Sequence, residues 1–427
     1  LAADSRNKAD WILGINASYA MCKATGLGNN SLGRVQTPIL AAISRRYRER
    51  ENHISSDSWP IYISLQKDGI LFKMRRTQDL LDKESATMFF QDCKLSHQAQ
   101  ITGISHSVKE ILPPDLLDLT QLQKEANIRY GYTASEVYDI AQSLYEKKLI
   151  SYPRTSSRYL TEDVFDSLPP IMARLLSWEL FPAAKETGGI DISNLSRHVI
   201  SAEKANVHHA IIITGIRPGN LSEKEMQVYR LVAGRILETF MAPCRIETTN
   251  VEAVCAAQHF KAEQTRIIEA GWHDVFMRSD MVPKSGYSVN ELPEVEKGDN
   301  LNVCGCNMVH KKELPVDPFT DAELVEYMEL NGLGTVSSRT NIIRTLVNRK
   351  YIRYSGKYIV PTPKGMFTYE TIRGKKIADT SLTADWEKQL TGLESGMITG
   401  QDFLNRIRTL AKEMTDDIFN TYSTKAE

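Results

Sequence analysis

The apolar period of this 427-residue chain switches back and forth between strand and helix, and that alternation limits the folds open to it. From Ser56 to about Glu110 the period is two. Ile61, Ile63 and Leu65 alternate with polar residues, Asp68-Gly69 supplies a hairpin turn, and a helix around Lys83 to Cys93 interrupts the strands. Pro113-Pro114 closes that stretch. From Pro243 to Met308 short alternating strands return, with turns such as Lys284-Ser285-Gly286, as a second visit to the same layer. The rest reads as helix. The expected organisation is therefore 1–55, 56–114, 115–220, 221–312 and 313–427, with the second and fourth segments strand-rich.

Composition narrows the class. With 42% hydrophobic and 25% charged residues the chain can bury a sizeable core. It has no apolar run near the roughly 18 residues of a membrane span and no secretory leader pattern, so we expect a cytoplasmic protein without a membrane partner. The six cysteines are scattered, and a single Cys304-x-Cys306 is poor grounds for zinc, so all six are expected as free thiols and no metal site is expected. Net charge is −1, yet the charge is segregated. Leu1 to Arg50 holds eight Lys/Arg against three acids, and Thr335 to Lys376 ten against one, while Glu313 to Asn331 has six acids and no base. Such blocks are often solvated helix faces; two on separate elements suggest a surface that meets phosphates.

The chain opens on Leu1 inside a running helix carrying Arg6, Ala9, Asp10, Ile12 and Leu13, which leads us to expect a preceding segment. After a polar loop containing Gly33, Arg34 and Gln36, Thr37-Pro38 predicts an N-cap with proline at the first helical position, and a helix to about Glu51. Its apolar side holds Ile39 and Ile43, and its outer side Arg45, Arg46, Arg48 and Arg50. Thr120 and Gln123 predict the cap of a helix that Gly131 ends. Thr133 and Glu136 then form a capping box for an amphipathic helix ending near Lys147. Beyond it, Pro153 forces Tyr152 into extended backbone, with Lys147 and Lys148 on one side and Arg154 and Arg158 on the other. Cations around a phenol favour its ionised form and would hold a phosphate it attacked; a Tyr-Pro in a loop is also what a packing residue beside a turn looks like. His208-His209 heads an apolar run, and adjacent residues on a strand face opposite ways, so the pair cannot share an ion. Near the end, a helix over Thr320 to Leu330, a glycine turn at Gly332 and Gly334, a helix capped by Thr335 with Arg339, Arg344 and Arg349 outside, and a hairpin tipped by Ser355-Gly356 read as a winged helix-turn-helix.

Four of these segments together, Gly33-Arg34-Val35-Gln36-Thr37-Pro38, Leu149-Ile150-Ser151-Tyr152-Pro153-Arg154-Thr155, His208-His209-Ala210-Ile211-Ile212 and Gly332-Leu333-Gly334-Thr335 with Arg339, resemble the signatures of type IA DNA topoisomerases, nearer the topoisomerase III branch. The resemblance implies a multidomain α+β fold, toroidal, in which the strand-rich segments form an arch joining a helical DNA-binding base to a tyrosine-bearing domain. It implies that Tyr152 cuts single-stranded DNA through a 5′-phosphotyrosine ester, that Arg154 steadies the scissile phosphate, and that His208 stands near it. It places Arg34, Gln36, Arg6 and Asp10 along the bound strand; Arg158, Arg339 and Arg344, read from the basic stretches, are expected as further DNA contacts. In that family magnesium and a proton-transferring glutamate belong to an N-terminal Toprim domain, and no Asp-x-Asp cluster occurs here. We therefore expect a Toprim-less fragment with no cofactor of its own, a monomer whose partners are single-stranded DNA and the Toprim domain of the full-length protein. Ser156 and Ile213 depart from the family's usual Asp and Pro. Two other readings stay open: a non-enzymatic single-strand-binding protein, for which Tyr152→Phe would change nothing, and a relaxase-type nuclease, which wants two histidines one residue apart.

Overall fold

The computed structural model describes every residue except 1, 27, 29, 179, 183–189, 206–207, 278–283 and 424–427. Asn29 and Val207, at the edges of two segments read above, fall outside the described residues.

The two strand-rich segments do not make two sheets. Strands β2 (Ile61–Lys67), β3 (Ile70–Arg76) and β4 (Gln98–Ile111) join β5 (Cys244–Cys255), β6 (Gln258–Glu269) and β7 (Asn300–Met308) in one closed antiparallel barrel of order β2-β3-β6-β5-β4-β7. Asp68 and Gly69 take the positive φ values, 51° and 83°, that their tight hairpin requires. The alternating residues read from the sequence fill the interior: Ile61, Ile63, Leu65, Phe72, Met74, Val251 and Phe260 are all buried. β2 closes the ring by pairing with β7, so no edge is left to pair with another chain. Where the chain leaves for the barrel and returns, β1 (Asp57–Ser58) pairs with β8 (Lys311–Lys312), and Ser55 and Ser56 bond Glu313.

The helical parts form three further cores. Helix α1 (Ala2–Thr25) packs on α14 (Gly400–Ser423) and α13 (Ser381–Glu394) through Leu13, Met21, Trp386, Phe403 and Ile407, so the first and last helices share one interior. Helix α2 (Gln36–Glu51) shares another with α10 (Asp321–Leu330), α11 (Val336–Asn348) and the hairpin of β10 (Ile352–Ser355) and β11 (Tyr358–Pro361), which β9 (Phe319–Thr320) extends. This is the winged helix-turn-helix arrangement, and its two capping boxes, Thr320–Glu323 and Thr335–Ser338, are formed. The largest core gathers α4 (Leu119–Tyr130), α5 (Ala134–Glu146), α7 (Leu168–Ser177) and α9 (Glu223–Phe240). Helix α3 (Lys83–Leu95) packs on the barrel through buried Cys93, α6 (Glu162–Asp166) sends Phe165 into the largest core, and the short α8 (Ala202–Ala205) buries Ala205. The whole is multidomain α+β. Among the described residues no helix is long and apolar enough to cross a membrane, and all six cysteines are free thiols.

Two expected caps differ. α2 begins at Gln36, because the Thr37 amide already donates to Gly33 O and the Thr37 hydroxyl accepts from the Gly33 amide; Thr37 sits inside the first turn. α4 is capped by Asp118, whose carboxylate takes the Gln121 amide, which leaves Thr120 buried one residue into the helix.

Candidate active site

The approach to Tyr152 is built by local rules. The Thr133–Glu136 capping box starts α5, whose apolar face buries Val137, Ala141 and Leu144, and the helix ends at Lys147. Lys148 takes φ +58°, and the Leu149 amide turns back to Leu144 O, so the chain reverses out of the helix. Residues 149–151 then lie antiparallel to 212–214: Ser151 N donates to Ile212 O, Thr214 N to Leu149 O, and Ile150 bridges Ile213. The Ser151 hydroxyl accepts from the Ile212 amide and donates to Ala210 O, while the Thr155 hydroxyl donates to His208 O at 3.0 Å. On its far side the same segment pairs with Leu117 through Ile211. These bonds fix the registers of the tyrosine and histidine segments.

The result is a compact constellation. The rings of Tyr152 and His208 stand 4.4 Å apart between centroids at 41°, and Tyr145 meets Tyr152 edge-on at 5.5 Å. Tyr152 is half-buried, with Pro153 buried beneath it and His208 exposed. Arg154 reaches back to α5. Its Nη2 donates to Gln142 Oε1 at 3.1 Å, its guanidinium lies over the Tyr138 ring at 5.0 Å, and its Nε is buried with no partner among the described residues. Tyr152 thus has the His208 imidazole against its ring, while the Arg154 guanidinium is held on α5 by Tyr138 and Gln142. Tyr138, Gln142 and Tyr145 come from one face of α5 at spacings of four and three, a signal the sequence carried and our reading missed.

The expected ring of four cations is not present as such. Lys147 Nζ is taken by Glu225 at 2.5 Å. That lysine, with Ser143 and the Ser222 amide, holds the Glu225 carboxyl down to about 2. Arg158 Nε is fixed by buried Asp118 at 2.8 Å. Both carboxylates lie outside the tyrosine segment, so a local scan could not find them.

The residues expected along a bound strand are likewise occupied within the protein. Arg34 is buried, its Nε 2.8 Å from Asp10 Oδ1 and its guanidinium over the Trp386 ring at 4.9 Å, so Arg34 and Asp10 do meet, as a pair. Arg6 lies on the same helix as Asp10, partly exposed. Gln36 Oε1 accepts from Arg349 Nη1, and Gln36 Nε2 donates to Ser31 O. Arg339, read as outward-facing, is buried: its Nη1 donates to Thr120 Oγ1 of α4 at 3.0 Å and stands 3.7 Å from Glu329 Oε1 at the end of α10. Beside it Gln123 Nε2 bonds Thr340 Oγ1 and Ala134 O. Arg344 is half-buried and pairs with Asp139 and Ser135 of α5. Arg339 and Arg344 thus tie α11 to α4 and α5.

Asp321 completes that junction. It is 2% exposed, accepts from the Ala134 amide and the Tyr354 hydroxyl at 3.1 Å each, and burial pushes its carboxyl up to about 6. Among the described residues no three His, Cys, Asp or Glu side chains come together to hold a metal ion. The residues described do not fit magnesium.

Comparison with known proteins bears on this geometry. The family model described as DNA topoisomerase matches residues 1–405. The chain is 30% identical to DNA topoisomerase 3 of Bacillus licheniformis over 98% of its own length and 60% of the relative's. It is 31% identical to DNA topoisomerase 1 of Methanocaldococcus jannaschii over 96% and 54%. It therefore spans about 60% or less of the length of these relatives. Its fold matches the full-length topoisomerase I of Thermotoga maritima with a TM-score of 0.74 at 23% identity, covering 98% of this chain and 68% of that one.

Proposed function

The chain belongs to the type IA DNA topoisomerases, and from that premise we propose that Tyr152 cleaves single-stranded DNA and holds its 5′ end as a phosphotyrosine ester. The Tyr152 oxygen forms a bond to phosphorus as the bond to the 3′ oxygen breaks. The reverse attack by the 3′ hydroxyl reseals the strand, and the ester conserves the energy, so no nucleotide is consumed. Arg154 meets the charge on the phosphate oxygens, and His208 packs the phenol ring and faces the same phosphate. The observation that supports this reading is the contact of the Tyr152 and His208 rings, 4.4 Å apart, on segments paired through their backbones.

The Tyr152 phenol must lose its proton to attack, and the leaving 3′ oxygen must gain one. We assign both transfers, and the binding of magnesium, to a Toprim domain of the full-length protein, so this chain alone binds DNA without full turnover. The reading also takes the protein as a monomer in the cytoplasm. The test is covalent trapping. An end-labelled single-stranded oligonucleotide is incubated with the chain, with and without an added Toprim fragment and magnesium, then quenched with detergent. An adduct that needs Toprim and disappears in Tyr152→Phe is expected. No adduct under any condition, with binding intact, would return the protein to the non-enzymatic single-strand-binding reading.

A further inference from the structure

The two basic blocks of the sequence do converge, but away from Tyr152. A cavity of about 1160 Å³ opens between α2, the end of α10, the end of helix α12 (Pro363–Ile372) and the connection that follows it. Arg45 and Arg48 enter it from the first block, and Arg373, Lys375 and Lys376 from the second; among the described residues its carboxylates are Glu49 and Asp379. Arg48 is paired with Glu370, Lys375 with Asp417 and Lys376 with Glu413. Arg45 and Arg373 are exposed and make no ion pair among the described residues. Tyr327 and Tyr369 also line the cavity.

The cations that the sequence suggested for DNA contact, at positions 34, 339 and 344, are consumed inside the protein. Two uncommitted guanidiniums facing one cavity are what a polyanion would find instead. The space also exceeds the several hundred cubic ångströms that a small ligand usually fills. We propose that this cavity is a second DNA-contact site, which holds the sugar-phosphate backbone of a single strand by Arg45 and Arg373, separately from the Tyr152 constellation. The proposal rests on the DNA-strand reading above, and it places the anchoring of the strand's flank on the base. Arginine forks suit phosphate oxygens, and tyrosines beside a basic groove suit the bases of an unpaired strand.

Binding of a labelled single-stranded oligonucleotide to the whole chain, read by fluorescence anisotropy across a salt series, tests it. Arg45→Ala with Arg373→Ala should weaken binding about tenfold and flatten the slope of log K against log salt by about 1.4, two phosphate contacts on a single strand. The lysine pair at the same positions should restore most of both, and thermal melts of exposed-site variants should match the parent. Duplex of the same length should show a smaller loss. Unchanged affinity and slope in the alanine pair overturn the proposal, as does equal loss with duplex. The Tyr152 adduct is scored separately. With the Toprim fragment and magnesium added, a normal adduct in the parent with unchanged binding in the alanine pair sinks this site alone, whereas weakened binding in the alanine pair with no adduct in the parent sinks the nucleophile alone.

Discussion

Asp321→Asn should stabilise the protein above neutral pH. Asp321 opens α10 and receives the first free amide of α5, and both helix ends favour a carboxylate there. Burial outweighs them and lifts the carboxyl from an ordinary 3.8 to about 6. At about 1.4 kcal/mol per tenfold change in acid constant, ionising Asp321 costs the folded state about 3 kcal/mol. The sign follows from the raised value. The contribution is fully present below pH 3.8, is lost as pH rises through about 6, and is absent at pH 8. Asparagine keeps an oxygen for the Ala134 amide and the Tyr354 hydroxyl but cannot ionise. Asp321→Ala leaves both donors buried and unmet, at a cost of about 2 kcal/mol. The assay is hydrogen exchange of the Ala134 to Val137 amides at pH 5 and pH 8, with guanidinium melts alongside. Slower exchange in Asn than in wild type at pH 8, converging toward pH 4, is expected, with Ala faster at both. An Asn variant that is no more stable at pH 8, or that keeps the wild-type pH dependence, would refute the reasoning.

Three further outcomes are expected. Trp386→Ala should cost about 4 kcal/mol in a chemical melt, because the ring is 1% exposed, packs edge-on against Phe403 and floors Arg34. Gly365→Ala should destabilise the winged region by about 3 kcal/mol, since a Cβ there would stand 2.0 Å from Tyr351 O. Gly356→Ala, in open space at φ +58°, should cost only about 1 kcal/mol in the same melt. In native thiol titration Cys304 should react first, and Cys93, Cys244 and Cys255 only on unfolding; Cys306, whose thiol burial pushes up to about 11, should lag behind Cys304.

What the sequence by itself determined was whatever depends on neighbours within a turn or a strand. The Thr133–Glu136, Ser222–Glu225 and Thr320–Glu323 capping boxes, the Asp68-Gly69 hairpin and the inward residues of β2 are all local, and they formed as read or as their residue types dictate. Pro153 and short motifs singled out Tyr152, Arg154 and His208 in the sequence, and backbone pairing brings the Tyr152 and His208 rings together, while their chemical roles belong to the proposal. Tertiary structure alone decided partners. The sequence period says that a residue turns inward or outward, not which distant group it will meet. Arg339 looked outward on its own helix, yet it lies inside and bonds Thr120 of α4, more than 200 residues earlier in the chain. Lys147 looked like a cation for the phenol, yet Glu225 claims it. Closure of the barrel between β2 and β7 was likewise invisible, because a strand's alternation fixes its faces and leaves open which strand lies beside it.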